Sequence, residues 1–529
     1  MEVTETRQDV IVVGGGPVGL GLAIDLAQRG VKSLVLERST ALHGVPKGQN
    51  LTQRTGEHFR RWGVSEAVRK ASLIPPEFGN AGIVTYGKLL SDYHYDWFRR
   101  SRVRSFYFAD NERLPQYRLE EVFRRRVADF AEIEFLQGAD VVAVDQTAST
   151  VSVGFERDGI RHTAEAAYAV GCDGARSRTR ELLGIESEID HEGPRMALVV
   201  FRSKALHELL DRYPGKSIYN VMNPDMNGYW QFLGRVDLDG GWFFHSPVPA
   251  GTEVGNFDFK ALLHDMAGAA FELDIEHIGF WDLRISLARS YRAGRVFICG
   301  DACHSHPPYG GYGVNTGLED ACNLSWKLDA VLKGWAGEAM LDSYGAERHP
   351  VFKSTSQDFI EHMIQDFRDF VSDYAPDRDK MAFEEAWNKR AQADDSDVTE
   401  FLPHYAGSPI VSAEAGQISG ARGVHMVRAR AGHHLAPPPV PDGTELWDCL
   451  GEGFTLLEQD GDADRAAAFE TSAGIMGIPL TVIKIDDENL RQTYGCKALL
   501  VRPDQFISWV FESGDVDAER VLRISIRGR

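Results

Sequence analysis

The run Val10-Ile11-Val12-Val13-Gly14-Gly15-Gly16-Pro17-Val18-Gly19, followed by Leu34-Val35-Leu36-Glu37, decides the fold. Val10–Val13 is a short apolar run and reads as a buried parallel strand. Val18, Leu22 and Leu26 then recur at helical spacing, and Gly30 closes that helix as a left-handed cap. Leu34–Glu37 is the next strand. Gly14-x-Gly16-x-x-Gly19 therefore occupies a strand-to-helix turn. Its glycines permit a tight turn, close backbone approach to a pyrophosphate, and close helix–strand packing. The helix start, with Pro17 and Val18, offers free N–H groups and a positive dipole end. Glu37, ahead of Arg38, ends the second strand and can accept hydrogen bonds from a ribose diol. The pattern fits FAD or NAD equally well.

A second segment decides between them. Phe297-Ile298-Cys299-Gly300-Asp301 reads as a strand delivering a carboxylate to its end, where it can hold a sugar-alcohol chain. Pro307-Pro308-Tyr309-Gly310-Gly311-Tyr312-Gly313-Val314-Asn315 follows, and its glycines let backbone approach a flat ring. A helix opening near Asn315 points N–H groups at that ring, where reduced flavin develops negative charge along its N1–C2 carbonyl edge. Between the two motifs, Cys172-Asp173-Gly174 follows another strand. By itself it is a turn; in this place it reads as part of a cofactor site.

The 529 residues carry a formal net charge of −21, which argues against nucleic acid or an anionic membrane surface as partner. No apolar run approaches the roughly 18 residues of a membrane helix, and no signal peptide is visible. The six cysteines form no Cys-x-x-Cys, so a reduced, cytoplasmic protein with buried thiols is expected. His304 and His306 lack further ligands, and no metal is expected. A mostly antiparallel sheet is predicted over 193–285, from Met196–Phe201, Tyr229–Gly234 and Trp242–Ser246. The polar stretch Ala393–Glu400 reads as a linker or exposed loop. The prolines at 437–439 and 441 mark a boundary before a small α/β module.

The three motifs, in this order and spacing, resemble the para-hydroxybenzoate-hydroxylase-like flavoprotein monooxygenases over roughly Asp9 to Pro350. The run Gly300–Pro308 with Asn315–Leu328 is similar to the phenol and chlorophenol hydroxylase branch. The resemblance implies an α/β fold: a Rossmann-like FAD-binding domain (1–185 and 286–395, with a substrate-side segment near 75–110) interleaved with a mostly antiparallel substrate-binding sheet domain (186–285). A linker and a redox-inactive thioredoxin-like domain would fill 396–529. It implies one FAD, NADPH or NADH as transient co-substrate, dioxygen, an aromatic small-molecule substrate, and a homo-oligomer. Gly14, Gly16, Gly19 and Glu37 would hold the ADP half, with Arg54 and Gln116 along the phosphates and ribityl chain. Asp173 and Asp301 would also bind cofactor, and Pro308, Gly311, Gly313, Val314 and Asn315 would face the isoalloxazine. The implied chemistry is oxygen transfer from a flavin C4a-hydroperoxide to a phenol.

Tyr312 replaces the Gln many relatives carry between these glycines, and Gln49 stands where some place an ionisable residue near substrate. A phenol titrates near pKa 10, so a nearby base or acceptor would help. His245, Tyr219 and Tyr229 on the predicted sheet are the candidates, besides Gln49 and Pro308, each weighed against an ordinary core role. Two alternatives stay open: another flavin-dependent oxidation, such as Baeyer–Villiger insertion or modification of an aromatic antibiotic, and a non-catalytic flavin-binding protein. No Trp-x-Trp-x-Ile motif supports a halogenase.

Overall fold

In the computed structural model, which describes residues 8–79, 81–393, 396–438 and 443–528, three main sheets carry the molecule. The strand Gln8–Val13 lies inside the first, with Val10, Ile11 and Val12 fully buried, as a parallel strand between two layers requires. It pairs in parallel with Ser33–Glu37 and with Ile160–Gly171. Those two pair in parallel with Ile133–Gln137 and Val296–Ile298 respectively. Parallel pairing puts the carboxyl ends of these strands on one edge. The turn after Val13, Glu37, Cys172-Asp173 and Gly300-Asp301 are gathered there although the sequence scatters them. The helix Pro17–Gln28 packs on the long buried helix Gly313–Leu332, which opens two residues before Asn315.

The second sheet runs His304–Ser305, Asp274–Ala288, Ser187–Arg202, Gly241–Pro247, Gln231–Arg235, Ile218–Met222, Gly82–Tyr86, His94–Trp97. All its pairings are antiparallel except Ile218–Met222 with Gly82–Tyr86. Strand alternation gives it two distinct faces. Tyr219, Val221, Leu233, Trp242 and Phe244 pack against the helix Phe259–Ala267 through Leu263 and Met266. Leu198, Phe232, Phe243 and His245 are on the other side, toward the first sheet.

The C-terminal module is a four-stranded sheet ordered Leu480–Lys484, Phe454–Glu458, Ala498–Val501, Ile507–Phe511, with one parallel pair and two antiparallel ones. The last strand and the helix Ala518–Arg527 were not expected from the sequence. The proline boundary falls partly outside the described residues, since 439 and 441 are not among them. The stretch read as an exposed linker is not one where described: Ser396–Thr399 is a helical turn with Val398 buried, and the Asp397 carboxylate accepts from Trp97 Nε1 at 2.9 Å. Five cysteines are buried as expected, but Cys449 is exposed. Among the described residues no helix is long and apolar enough to cross a membrane, and no cluster of metal-ligating side chains occurs.

Candidate active site

A cavity of about 970 Å³ is lined by the carboxyl edge of the first sheet and the inner face of the second. That is near the top of the range for small-molecule and cofactor sites, about 300–1,000 Å³. Gly14, with φ at +108°, makes the turn under it; a Cβ there would strike the Cys172 carbonyl oxygen at 2.4 Å. A Cβ on Gly19 would lie 2.0 Å from the Gly14 carbonyl oxygen, so helix and strand touch backbone to backbone. Gly16 differs. It caps the helix opened by Pro17, and a Cβ on it would meet no protein atom within 4 Å. The amino end of this helix, Val18 included, thus faces open cavity. Glu37 accepts from Gly15 N–H and Ser39 N–H, both at 2.7 Å, which aims its carboxylate beside the glycine turn; Arg38 lines the cavity next to it.

Asp301 stands exposed to the same cavity on the turn Gly300–Ala302. The cavity is deep enough that loss of bulk water pushes its carboxyl pKa up, against the pull of His304 and Lys47. Gln116 lines the cavity at the start of its helix and donates to Glu120 at 2.9 Å. Pro308, Gly311, Gly313 and Val314 complete this side.

Several expected residues are employed otherwise. Arg54 is turned from the cavity, locked to Glu319 (2.8 Å) and Glu57 (2.9 Å), and donates to the Asp504 carbonyl oxygen in the C-terminal module at 2.6 Å. The Asn315 side chain does not face the cavity either. It accepts from Thr52 N–H and donates to the Asn50 and Gly311 carbonyls, fastening three segments together. Asp173 lines the cavity, but its carboxylate is taken by Ser177 Oγ and by Thr179 N–H at 2.8 Å, where it supports a helix start. Tyr312 is fully buried, donates to the Asp397 carbonyl oxygen at 2.9 Å and stacks on Phe401.

On the sheet side His245 and Gln49 line the cavity, and Tyr219 and Tyr229 do not. Tyr219 is one residue past cavity-lining Ile218, so alternation sends it through the sheet, where its hydroxyl donates to the Lys216 carbonyl oxygen at 2.8 Å. Tyr229 precedes its strand and packs beneath Arg368. His245 is buried between Trp281 and Phe243, and both ring nitrogens lack a protein partner. Burial pushes its pKa down to about 4, so it is neutral near pH 7. Two lining residues escaped the sequence reading as cavity groups. His306 donates through Nδ1 to the Pro307 carbonyl oxygen at 2.6 Å, which leaves Nε2 as a lone-pair acceptor. Arg113 donates to Gln49 Oε1 at 3.2 Å.

Burial pushes His306 and His425 down to about 4 as well. A free histidine titrates near 6.5. Between these values the unfolded chain binds protons that the folded chain refuses. Stability held above about pH 6.5 is therefore lost as pH falls toward about 4. Thermal melts should show His245→Phe losing less Tm than wild type between pH 7.5 and pH 5; equal losses would contradict the assignment.

Residues 7–358 match the family described as FAD binding domain, and 428–527 match aromatic-ring hydroxylase, C-terminal. The 4-methyl-5-nitrocatechol 5-monooxygenase of a Burkholderia species is 29% identical, over 98% of this chain and 96% of its own. The tetracenomycin A2 monooxygenase-dioxygenase of Streptomyces glaucescens is 27% identical, over 98% and 96%. The rebeccamycin biosynthetic enzyme RebC with reduced flavin superposes with a TM-score of 0.81 at 26% identity, over 98% of this chain and 99% of that one. The chain belongs to the FAD-binding aromatic-ring hydroxylase family of monooxygenases. It is an FAD-dependent enzyme, and reduced nicotinamide is the electron donor typical of that family.

Proposed function

We propose that the enzyme hydroxylates a phenolic or related electron-rich aromatic molecule whose ring hydroxyl is held by His245. A neutral imidazole with two unpartnered nitrogens, buried in the cavity wall, carries this reading. Buried polar groups normally find a partner, and one left open on a cavity is available to a ligand.

Gly16 and the amino end of its helix would take the pyrophosphate, Glu37 the ribose diol and Asp301 the sugar-alcohol chain. The Gly313-Val314 helix start would offer N–H groups to the ring edge that gains negative charge. FAD held there would supply the two-electron redox and oxygen-transfer chemistry, with reduced nicotinamide and dioxygen as co-substrates. Phe232, Phe243, Phe280, Trp281 and Leu198 make the facing wall apolar and keep water from the reacting ring. With a pKa of about 4, His245 is a poor full base for a phenol near 10. It acts as an acceptor that orients the hydroxyl and draws electron density onto the ring carbon.

Asp301→Ala removes the charged acceptor for the sugar chain. FAD affinity is expected to fall about tenfold or more, since such a bond contributes roughly 1.5–3 kcal/mol; unchanged affinity in a fluorescence titration would refute that role. The function itself is tested by screening phenols against oxygen-dependent NAD(P)H oxidation. Stimulated oxidation with a product one oxygen heavier is expected. Stimulation that yields only peroxide for every phenol would defeat the proposal.

A further inference from the structure

Arg113 and Arg235 are both buried without a carboxylate partner among the described residues; Arg235 donates instead to the Lys216 carbonyl oxygen and the Tyr219 hydroxyl, and of the two only Arg113 lines the cavity. Arg54 pairs with Glu57 and Glu319, Arg348 with Asp320, and Arg502 with Glu347 and Asp504. Each answers the large penalty for burying an unpaired charge. Arg113 is only 5% exposed, yet its protein partner is a neutral amide oxygen, Gln49 Oε1, and its Nε has none. No carboxylate pairs with it among the described residues. It lines the cavity next to Gln49, whose Nε2 is also unpartnered, so two donors are presented together.

The distribution of charge in the cavity points the same way. The lining carboxylates, Glu37, Glu120, Asp140, Asp173 and Asp301, all come from the dinucleotide side. The lining residues of the second sheet are apolar, glycine or histidine. Arg113 lies by that sheet: its side chain approaches Gly79, three residues before the strand Gly82–Tyr86. Burial pushes the guanidinium down to about 10, still charged near pH 7.

We infer that Arg113 is an anion-recognition residue of the aromatic site, so the preferred ligand carries an anionic oxygen, as a carboxylate or an ionised acidic phenol. This rests on reading the cavity as the aromatic substrate's site. A planar guanidinium matches such oxygens in geometry, and the ligand supplies the charge that the protein withholds.

The test uses FAD-loaded wild type, Arg113→Met and Arg113→Lys, titrated calorimetrically with 2-naphthoate against 2-naphthamide and with 4-nitrophenolate against 4-nitroanisole at pH 8. Wild type should prefer at least one anion over its neutral partner by about tenfold or more, and which pair shows it tells carboxylate from phenolate. In Arg113→Met the preference should collapse while Arg113→Lys keeps part of it. Affinity for FAD should be unchanged, and the ligand-free Tm of Arg113→Met equal or higher, because an unpaired buried charge has been removed. A structural arginine would lower that Tm. The inference fails if wild type shows no anion preference or binds neither anion at millimolar concentration, if Arg113→Met keeps the preference, or if it loses FAD. A wild-type chain that takes up no FAD would instead overturn the reading beneath it.

Discussion

His245→Phe is expected to leave FAD uptake and NAD(P)H oxidation in place while lowering hydroxylated product about 100-fold or more, the scale of loss when a reacting group is misplaced by about 1 Å. Phenylalanine keeps the apolar packing against Trp281 and Phe243 but offers no lone pair to a ring hydroxyl. The aromatic would still enter, its hydroxyl unheld, and electrons would leave as peroxide. The ratio of product to NAD(P)H consumed is the decisive reading. His245→Gln, which keeps an acceptor, should recover part of that ratio. A product yield within about threefold of wild type for His245→Phe would remove the histidine from the mechanism.

The second large effect separates two glycines of one motif. Gly16→Val should fold and melt like the wild-type apoprotein, because side-chain atoms there extend into open cavity. Yet FAD affinity should drop by about 100-fold or more. The added branch would displace the pyrophosphate from the helix start, and two lost charge-assisted bonds at roughly 1.5 kcal/mol each already reach that factor. Gly19→Ala should behave oppositely. Its Cβ would overlap the Gly14 carbonyl oxygen at 2.0 Å, so strand and helix must part. Overpacking of this kind is destabilising by about 1–3 kcal/mol, seen as a lower apoprotein Tm. Circular-dichroism melts beside flavin titrations distinguish the two; a Gly16→Val protein that retains FAD normally would contradict the placement of the pyrophosphate.

The dinucleotide side was legible because its signals are local. A glycine turn, a strand and an acid at a set distance impose their geometry on any neighbours. The sheet side was less so. Period-two alternation says that Ile218 and Tyr219 face opposite ways, but not which face meets the cavity; that depends on which layer covers which face. Arg54 misled because, beside its near neighbour Glu57, its other partners, Glu319 and the Asp504 carbonyl oxygen, lie hundreds of residues away and tie it between modules. Asp173 could have been read better. Ser177 and Thr179 lie within two turns of it, a spacing that suits helix capping as well as a ligand. Nothing local marks Arg113, whose significance is the absence of a paired acid among the described residues.

The most direct test is hydroxylation under ¹⁸O₂ with FAD-loaded enzyme, reduced nicotinamide and a phenol that stimulates its oxidation, read by mass spectrometry. One ¹⁸O atom per product molecule is predicted, with none taken from water. Product whose new oxygen comes from water, or substrate recovered unchanged while nicotinamide is consumed, would contradict an FAD-dependent monooxygenase working in this cavity.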